Sequence, residues 1–299
     1  MPAAKPAAGG LFFALASATC YGLNIVSARL SADAGINGPS LITYRVGVML
    51  LLAGAVAVFA RFSLAVAPEE RRSLALLSLA SSTVGLCYLS SVAFIPVTVA
   101  AVVFYTFPIC IVLASPLVDG RRVTPSLMGV VLLAFIGVVL VVGPGFSDLD
   151  VRGLLLAAGA SLSATVQFFA ASRCVRTGTA SKIFWIHIAI LPTALLAASL
   201  TGGLASPAMV ASAPLAVGFT VGGFVIGFVL QLLALARISA VVAGLAFCLE
   251  PVMAAVSSAS FLGERLALVQ YVGGGLVIAA IVANVVLEQR RTALLQKLA

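Results

Sequence analysis

The chain has 299 residues, of which 62% are hydrophobic and only 9% are charged, and its mean hydropathy is +1.22. A water-soluble domain carries about 25% charged residues, so this chain has too little polar surface to cover itself in water, and its solvent is lipid. The net charge of +8 would suit nucleic acid, but no basic patch is interleaved with aromatic residues; the charges stand at the ends of apolar runs, as in membrane topology.

A bilayer-spanning helix needs about 20 apolar residues. In chain order the first run covers 11–28, ended by Arg29, and the second 41–60, ended by Arg61. Residues 74–118 carry no charge, too long a stretch for one span. Ile95-Pro96 is the expected break, because the residue before proline disfavours helix, so the third helix runs to 93 and the fourth covers 97–117. The fifth covers 127–142 and ends at Gly143-Pro144-Gly145; Asp148, Asp150 and Arg152 mark a join. The sixth to tenth cover 153–171, 183–200, 215–235, 239–261 and 266–287. In the eighth, Gly218, Gly222, Gly223 and Gly227 form two overlapping small-xxx-small pairs suited to close helix approach. The five cysteines show no metal spacing and no CxxC and read as packing residues rather than a disulfide framework.

Charge tests this count. With the amino terminus inside, the inner segments hold Lys5, Arg61, Arg71, Arg72, Arg121, Arg122, Arg173, Arg176, Lys182, Arg237, Arg290, Arg291 and Lys297. The outer segments hold Arg29, Arg152 and Arg265, and Arg45 lies within a helix. This bias predicts a multi-pass protein of the cell (inner) membrane with both termini cytoplasmic.

The chain also repeats itself. A gapless shift of 143 positions lays Ile95, Val99, Ala100, Phe104, Pro108, Ser115, Gly120 and Arg122 on Ile238, Val242, Ala243, Phe247, Pro251, Ser258, Gly263 and Arg265. The same shift sets Asn24 opposite Gln167. Each half then holds five helices, an odd number, so the second half enters from the opposite side of the membrane. The expected fold is all-α integral membrane, with ten transmembrane helices as two inverted five-helix repeats over 1–146 and 147–299. Many secondary transporters are built this way, with the substrate near the midplane between the halves.

Pro251, the turn Leu262-Gly263-Glu264-Arg265-Leu266, and Gln270 with Gly273-Gly274-Gly275 carry a further signal, repeated in worn form by Pro108, Gly120 and Arg122. With Tyr44-Arg45, these residues resemble the drug/metabolite transporter (DMT) superfamily, and within it the EamA-type ten-helix exporters. More loosely, the chain is similar to bacterial YddG-type exporters of amino acids and some toxic compounds. The resemblance covers essentially the whole chain and implies a carrier with its cavity between the repeats, but the motif itself is structural and transfers no substrate.

Three ionisable groups fall inside helices, where a charge costs about 2.5–3.5 kcal/mol on insertion scales. Glu250 precedes Pro251 and could take a cationic group or a coupling proton, or be protonated or paired with Arg45. Arg45, about four residues into the second helix, could hold a carboxylate or brace a neighbouring helix. His187, the one histidine, could carry a proton or simply pack. The polar and aromatic cavity candidates are Tyr21, Asn24, Tyr88, Tyr105, Gln167, Trp185 and Gln231, with Asn24 and Gln167 the symmetric pair; interhelical hydrogen bonding is the competing role for those two. Trp185 could stack on a solute or anchor at the interface. Glu264 is expected in the first turn of the tenth helix, where the dipole favours an anion.

No GxxxxGK[ST] loop is present, so ATP is not the driver. One histidine and nine acids, mostly in loops, give no catalytic cluster. The expected protein is therefore not an enzyme and needs no cofactor or metal. It is a secondary exporter of small metabolites, foremost neutral or aromatic amino acids and related amphiphilic or cationic compounds. Its partners are the small-molecule substrate and the lipid bilayer, with no nucleic acid and no required oligomer. Import or facilitated diffusion of another metabolite is the alternative, and an integral-membrane enzyme a distant one.

Overall fold

The computed structural model describes residues 7–143, 145 and 149–298. Lys5, Pro144, Asp148 and the expected boundary between 146 and 147 lie outside the described residues. The helices are α1 (Ala7–Asp33), α2 (Gly38–Phe59), α3 (Arg71–Ser91), α4 (Val97–Phe104), α5 (Phe107–Asp119), α6 (Pro125–Val142), α7 (Val151–Arg173), α8 (Thr179–Leu200), α9 (Pro207–Ser212), α10 (Pro214–Leu235), α11 (Ala240–Phe247), α12 (Leu249–Leu262) and α13 (Leu268–Leu298). Ten segments are long and apolar enough to cross a membrane among the described residues, with α4–α5 and α11–α12 each counting as one span.

Local chemistry sets the ends. Asn37, Thr124, Asp150 and Ser239 cap α2, α6, α7 and α11 with side-chain oxygens that accept backbone N–H bonds. α5 and α12 end at repeat-equivalent glycines, Gly120 and Gly263, at φ 64 and φ 68, a left-handed conformation that a Cβ disfavours. The first helix does not stop at Arg29 but runs to Asp33, because the arginine side chain reaches outward to Glu264 at 2.6 Å while the backbone continues to the Gly35 turn at φ 84. Glu264 is not in the first turn of the last helix: α13 starts at Leu268, and Glu264 instead pairs with Arg29. Gln270 manages that start, accepting from the Ala267 N–H and donating to the Val141 carbonyl, each at 2.9 Å.

Packing follows the repeat across rather than along the chain. The most extensive contacts are α1 with α10, α3 with α7, α6 with α13 and α2 with α8. Under the 143-residue shift α1 maps to α7 and α3 to α10, so the first two contacts are the same contact made once by each half. The other two are self-pairs on the two-fold axis. The two halves are interleaved, each of these helices having its chief neighbour in the other half. Of the glycines in α10, Gly223 and Gly227 meet Cys20, Tyr21 and Asn24 of α1, whereas Gly218 and Gly222 have nothing within contact range; one of the two small-residue pairs makes this crossing. All five cysteines are free thiols.

The turns sort to two ends. At one, Arg176 pairs with Glu69, Arg173 with Asp119 at 3.8 Å, and Arg121 with Glu288 at 2.8 Å. At the other, Arg29 pairs with Glu264, and Asp150 with Arg152 at 2.7 Å. Its hydrogen bonds to Arg152 hold the Asp150 carboxyl below the usual carboxylate range.

Candidate functional site

Proline breaks the fourth and ninth spans at matching places. Pro108 cannot donate to the Phe104 carbonyl, nor Pro251 to that of Phe247, so each helix loses one ladder bond at mid-span. The backbone tightens there: Thr106 N–H bonds to the Val103 carbonyl and Cys248 N–H to that of Leu245, each at 3.2 Å. Reading 97–117 and 239–261 as unbroken helices is corrected on this point; hydropathy does not sense one missing N–H. The breaks present the first turns of α5 and α12, with Phe107 in one and Glu250 in the other. An anion in a first turn is favoured by the helix dipole.

Neighbouring helices press on both breaks. A Cβ at Gly22 would stand 2.7 Å from the Glu250 carbonyl oxygen, so only glycine lets α1 pass this close. In the other half, the equivalent position is Thr165 of α7, whose hydroxyl lies 3.4 Å from the Phe107 carbonyl. Thr106 and Ser161 add a hydroxyl pair at 2.8 Å.

A row of rings joins these points. Phe224 lies 6.1 Å from Tyr21, Tyr21 6.1 Å from Phe247, Phe247 5.2 Å from Phe168, and Phe168 5.2 Å from Phe107. Phe104 continues it at 5.4 Å from Phe107 and 5.4 Å from Tyr88, with Tyr105 beside it. All are within the 4.5–7 Å range of aromatic contact.

The sequence-derived candidates fall into three groups. Tyr21, Tyr88, Tyr105 and Glu250 belong together along the ring row: Tyr88 and Tyr105 both flank Phe104, Tyr21 flanks Phe247, and Glu250 stands in the first turn of α12, three residues on from Phe247 with Tyr105 as its neighbour. Arg45, His187 and Gln231 form the second group around Tyr21 and Phe224. The Arg45 guanidinium lies 4.1 Å above the Phe224 ring, and the Tyr21 hydroxyl donates to Gln231 Oε1 at 2.9 Å. His187 is fully buried, edge-on to Phe228 at 4.9 Å. Its Nδ1 is 2.7 Å from the Ile183 carbonyl; a carbonyl only accepts, so Nδ1 carries a proton, and Nε2 is buried without a partner. No ion pair joins Arg45 to Glu250 among the described residues, so the structure does not form the pairing that was one of the alternatives for Glu250.

The third group is engaged between elements. Asn24 Nδ2 donates to the Thr220 carbonyl, and Gln167 Nε2 to Ser81 Oγ at 2.9 Å. The repeat mates thus bond across the same helix contact, α1 to α10 and α7 to α3, but to a backbone carbonyl in one and a side-chain hydroxyl a turn further on in the other. Trp185 is 43% exposed and donates its indole N–H to the Leu64 carbonyl at 3.0 Å, which ties it to the turn after α2. Sequence reasoning missed Phe224, Phe247 and Phe168; the one usable signal was that Phe104 and Phe247 are repeat mates. The concave surface of about 440 Å³ along Leu195, Leu196, Ser199 and Leu204 holds no charged or aromatic side chain and lies away from all of these.

Interleaved inverted halves, two broken spans and a lined midsection define a membrane carrier. The chain matches the EamA-like transporter family over residues 8–143 and 151–286 and belongs to that family, as the resemblance to the DMT superfamily implied. It is 25% identical over 248 residues to the threonine/homoserine exporter RhtA of Escherichia coli K12, covering 82% of this chain and 80% of that protein. The RhtA proteins of strains O6:H1 and O157:H7 match to the same extent. A solved crystal structure shares the fold at a TM-score of 0.76 and 20% identity, covering 95% of this chain and 98% of that one.

Proposed function

We propose that this protein is a secondary exporter of small metabolites, foremost amino acids of neutral or aromatic type, working by alternating access between the repeats 1–146 and 147–299. The observation that carries this reading is the pair of proline-broken spans at repeat-equivalent positions, since discontinuous helices at the repeat interface are where such carriers bind their solutes. The RhtA likeness supports amino acids as cargo and export as direction. Arginine and lysine crowding at one end supports that end, and both termini, as cytoplasmic. Of the midsection candidates, Glu250, Tyr88, Tyr21 and Arg45 serve as the solute-facing set, with the buried Tyr105, His187 and Gln231 packed behind them.

Liposomes holding the purified protein should take up members of a labelled amino-acid panel, including threonine and phenylalanine. Accumulation driven by an imposed pH gradient identifies proton coupling, and equilibration that ignores it identifies a facilitator. No movement of any amino acid discards the substrate class. Orientation is tested separately: a cysteine at Gly202 should react with an impermeant reagent added outside intact cells, and protection there with reaction at Gly120→Cys reverses the topology.

A further inference from the structure

Two ionisable side chains of opposite sign, Arg45 and Glu250, stand in the midsection without an ion-pair partner among the described residues. Arg45 offers five N–H donors, yet no hydrogen bond or ion pair engages its guanidinium among the described residues, and its buried Nε is without a partner. Its guanidinium lies 4.1 Å from the centre of the Phe224 ring, a cation–π contact that uses the charge but none of the N–H donors. The ring face therefore leaves the guanidinium free to take an acceptor. Glu250 has the mirror deficit: a carboxylate accepts several hydrogen bonds, and no ion pair engages it among the described residues, with the Tyr105 hydroxyl as a neighbouring donor. Tyr21 lies between them, against Phe224, the ring under Arg45, on one side and Phe247 on the other, and its chain neighbour Gly22 abuts the Glu250 carbonyl.

Neither charge is repeated. The shift of 143 sets Ile188 against Arg45 and Phe107 against Glu250. Each is therefore a departure from two-fold symmetry, and they come from different halves. What the cation lacks is an anionic acceptor, and what the carboxylate lacks is a cationic donor. A net cation would leave Arg45 unmet, and a net anion would leave Glu250 unmet. One molecule carrying both groups satisfies both and crosses the bilayer without adding net charge.

Building on the exporter reading above, we propose that Arg45, Tyr21 and Glu250 form a binding site for a zwitterionic amino acid, with its carboxylate on Arg45 and its ammonium on Glu250. Tyr21, held by Gln231, sets the aromatic floor between the two. Because the two anchors belong to opposite halves, the bound zwitterion ties the halves together, and rocking of one half against the other changes the grip.

The test is displacement of labelled threonine and phenylalanine from the purified protein by three forms of each: the free amino acid, its amide (cation only) and its N-acetyl derivative (anion only). Wild type should bind the free form at least about tenfold more tightly than either blocked form, the scale of one charge-assisted hydrogen bond. Arg45→Gln should abolish discrimination against the amide and keep that against the N-acetyl form, and Glu250→Gln should do the reverse. Arg45→Lys, which keeps the charge, should retain most of the discrimination and shows that loss in Arg45→Gln is not misfolding. Equal binding of all three forms by wild type overturns the proposal, as does loss of both discriminations together in either variant with Arg45→Lys failing to rescue. Those results leave the exporter reading intact if liposome uptake persists. Absence of both uptake and binding in wild type would sink the amino-acid reading and this site with it.

Discussion

The two ends of the bundle make the same connection with different chemistry. At one end the turn after α2 docks on the start of α8; at the other the turn after α8 docks on the start of α2. In each, a serine in the first turn of the receiving helix fastens the incoming chain. Ser181 donates to the Leu64 carbonyl at 2.8 Å, and Ser40 donates to the Gly203 carbonyl at 3.2 Å while accepting from the Ala205 N–H at 3.0 Å. Beyond the serines the likeness stops. At the α8 end Glu70, 5% exposed, sets its carboxylate in a nest of backbone N–H groups: Val175 at 2.8 Å, and Arg176 and Thr177 at 2.7 Å each. Its repeat mate is Ala213, which packs against the apolar cluster of Ile36, Leu41, Ala205 and Val217. Duplication kept the geometry of docking and let the adhesive diverge: a buried carboxylate, together with Trp185 bonded to the Leu64 carbonyl, stands at one joint, and an alanine packed on hydrocarbon, with Asn37 and Tyr44 bonded to the Gly203 and Ala205 carbonyls, at the other. If the chain works by alternating access as proposed, the two ends open against different chemistry.

The largest effect should come from removing that anion. Glu70→Ala leaves three backbone N–H groups without their acceptor, at about 1–3 kcal/mol for each that stays buried, so a loss of about 3 kcal/mol or more is expected in a detergent melt. Cys174, fully buried beside the nest, should become reactive to a thiol reagent, read by mass spectrometry. Glu70→Gln should fall between, because its one carbonyl oxygen can keep the two bonds that Oε1 now accepts from Val175 and Arg176. An unchanged melt with Cys174 still protected would mean that water replaces the carboxylate and that the two ends are equivalent after all.

How much of this the sequence displays depends on which solvent a residue faces. Spans, their number and the inverted repeat are legible because lipid demands about 20 apolar residues and leaves the charges outside. The breaks at Thr106 and Cys248 are not: Pro108 and Pro251 are visible, but whether a proline kinks a span or breaks it depends on the chain around it. Among site residues, Arg45, His187 and Glu250 announce themselves as ionisable groups inside apolar runs. Phe224, Phe247 and Phe168 look like any phenylalanine that could face lipid, such as the exposed Phe59 or Phe219. Glu70 reads as an ordinary loop acid, because its partners are backbone N–H groups more than a hundred residues away, and backbone groups leave no mark on composition.

The serines sharpen the comparison at smaller scale. Ser40 both donates and accepts across its joint, whereas the Ser181 hydroxyl only donates, shared between the Leu64 carbonyl and that of Ala65 at 3.1 Å. Ser40→Ala should therefore strand a buried N–H at Ala205 as well as losing a donor, costing about 2 kcal/mol, while Ser181→Ala loses one net hydrogen bond, about 1 kcal/mol. The order of the two melts decides whether the apolar end leans on its serine more than the anionic end does. If Ser181→Ala proved the more damaging, the Glu70 nest would depend on the serine to seat its turn, and the carboxylate and hydroxyl at that end would form one cooperative joint rather than two separate ones.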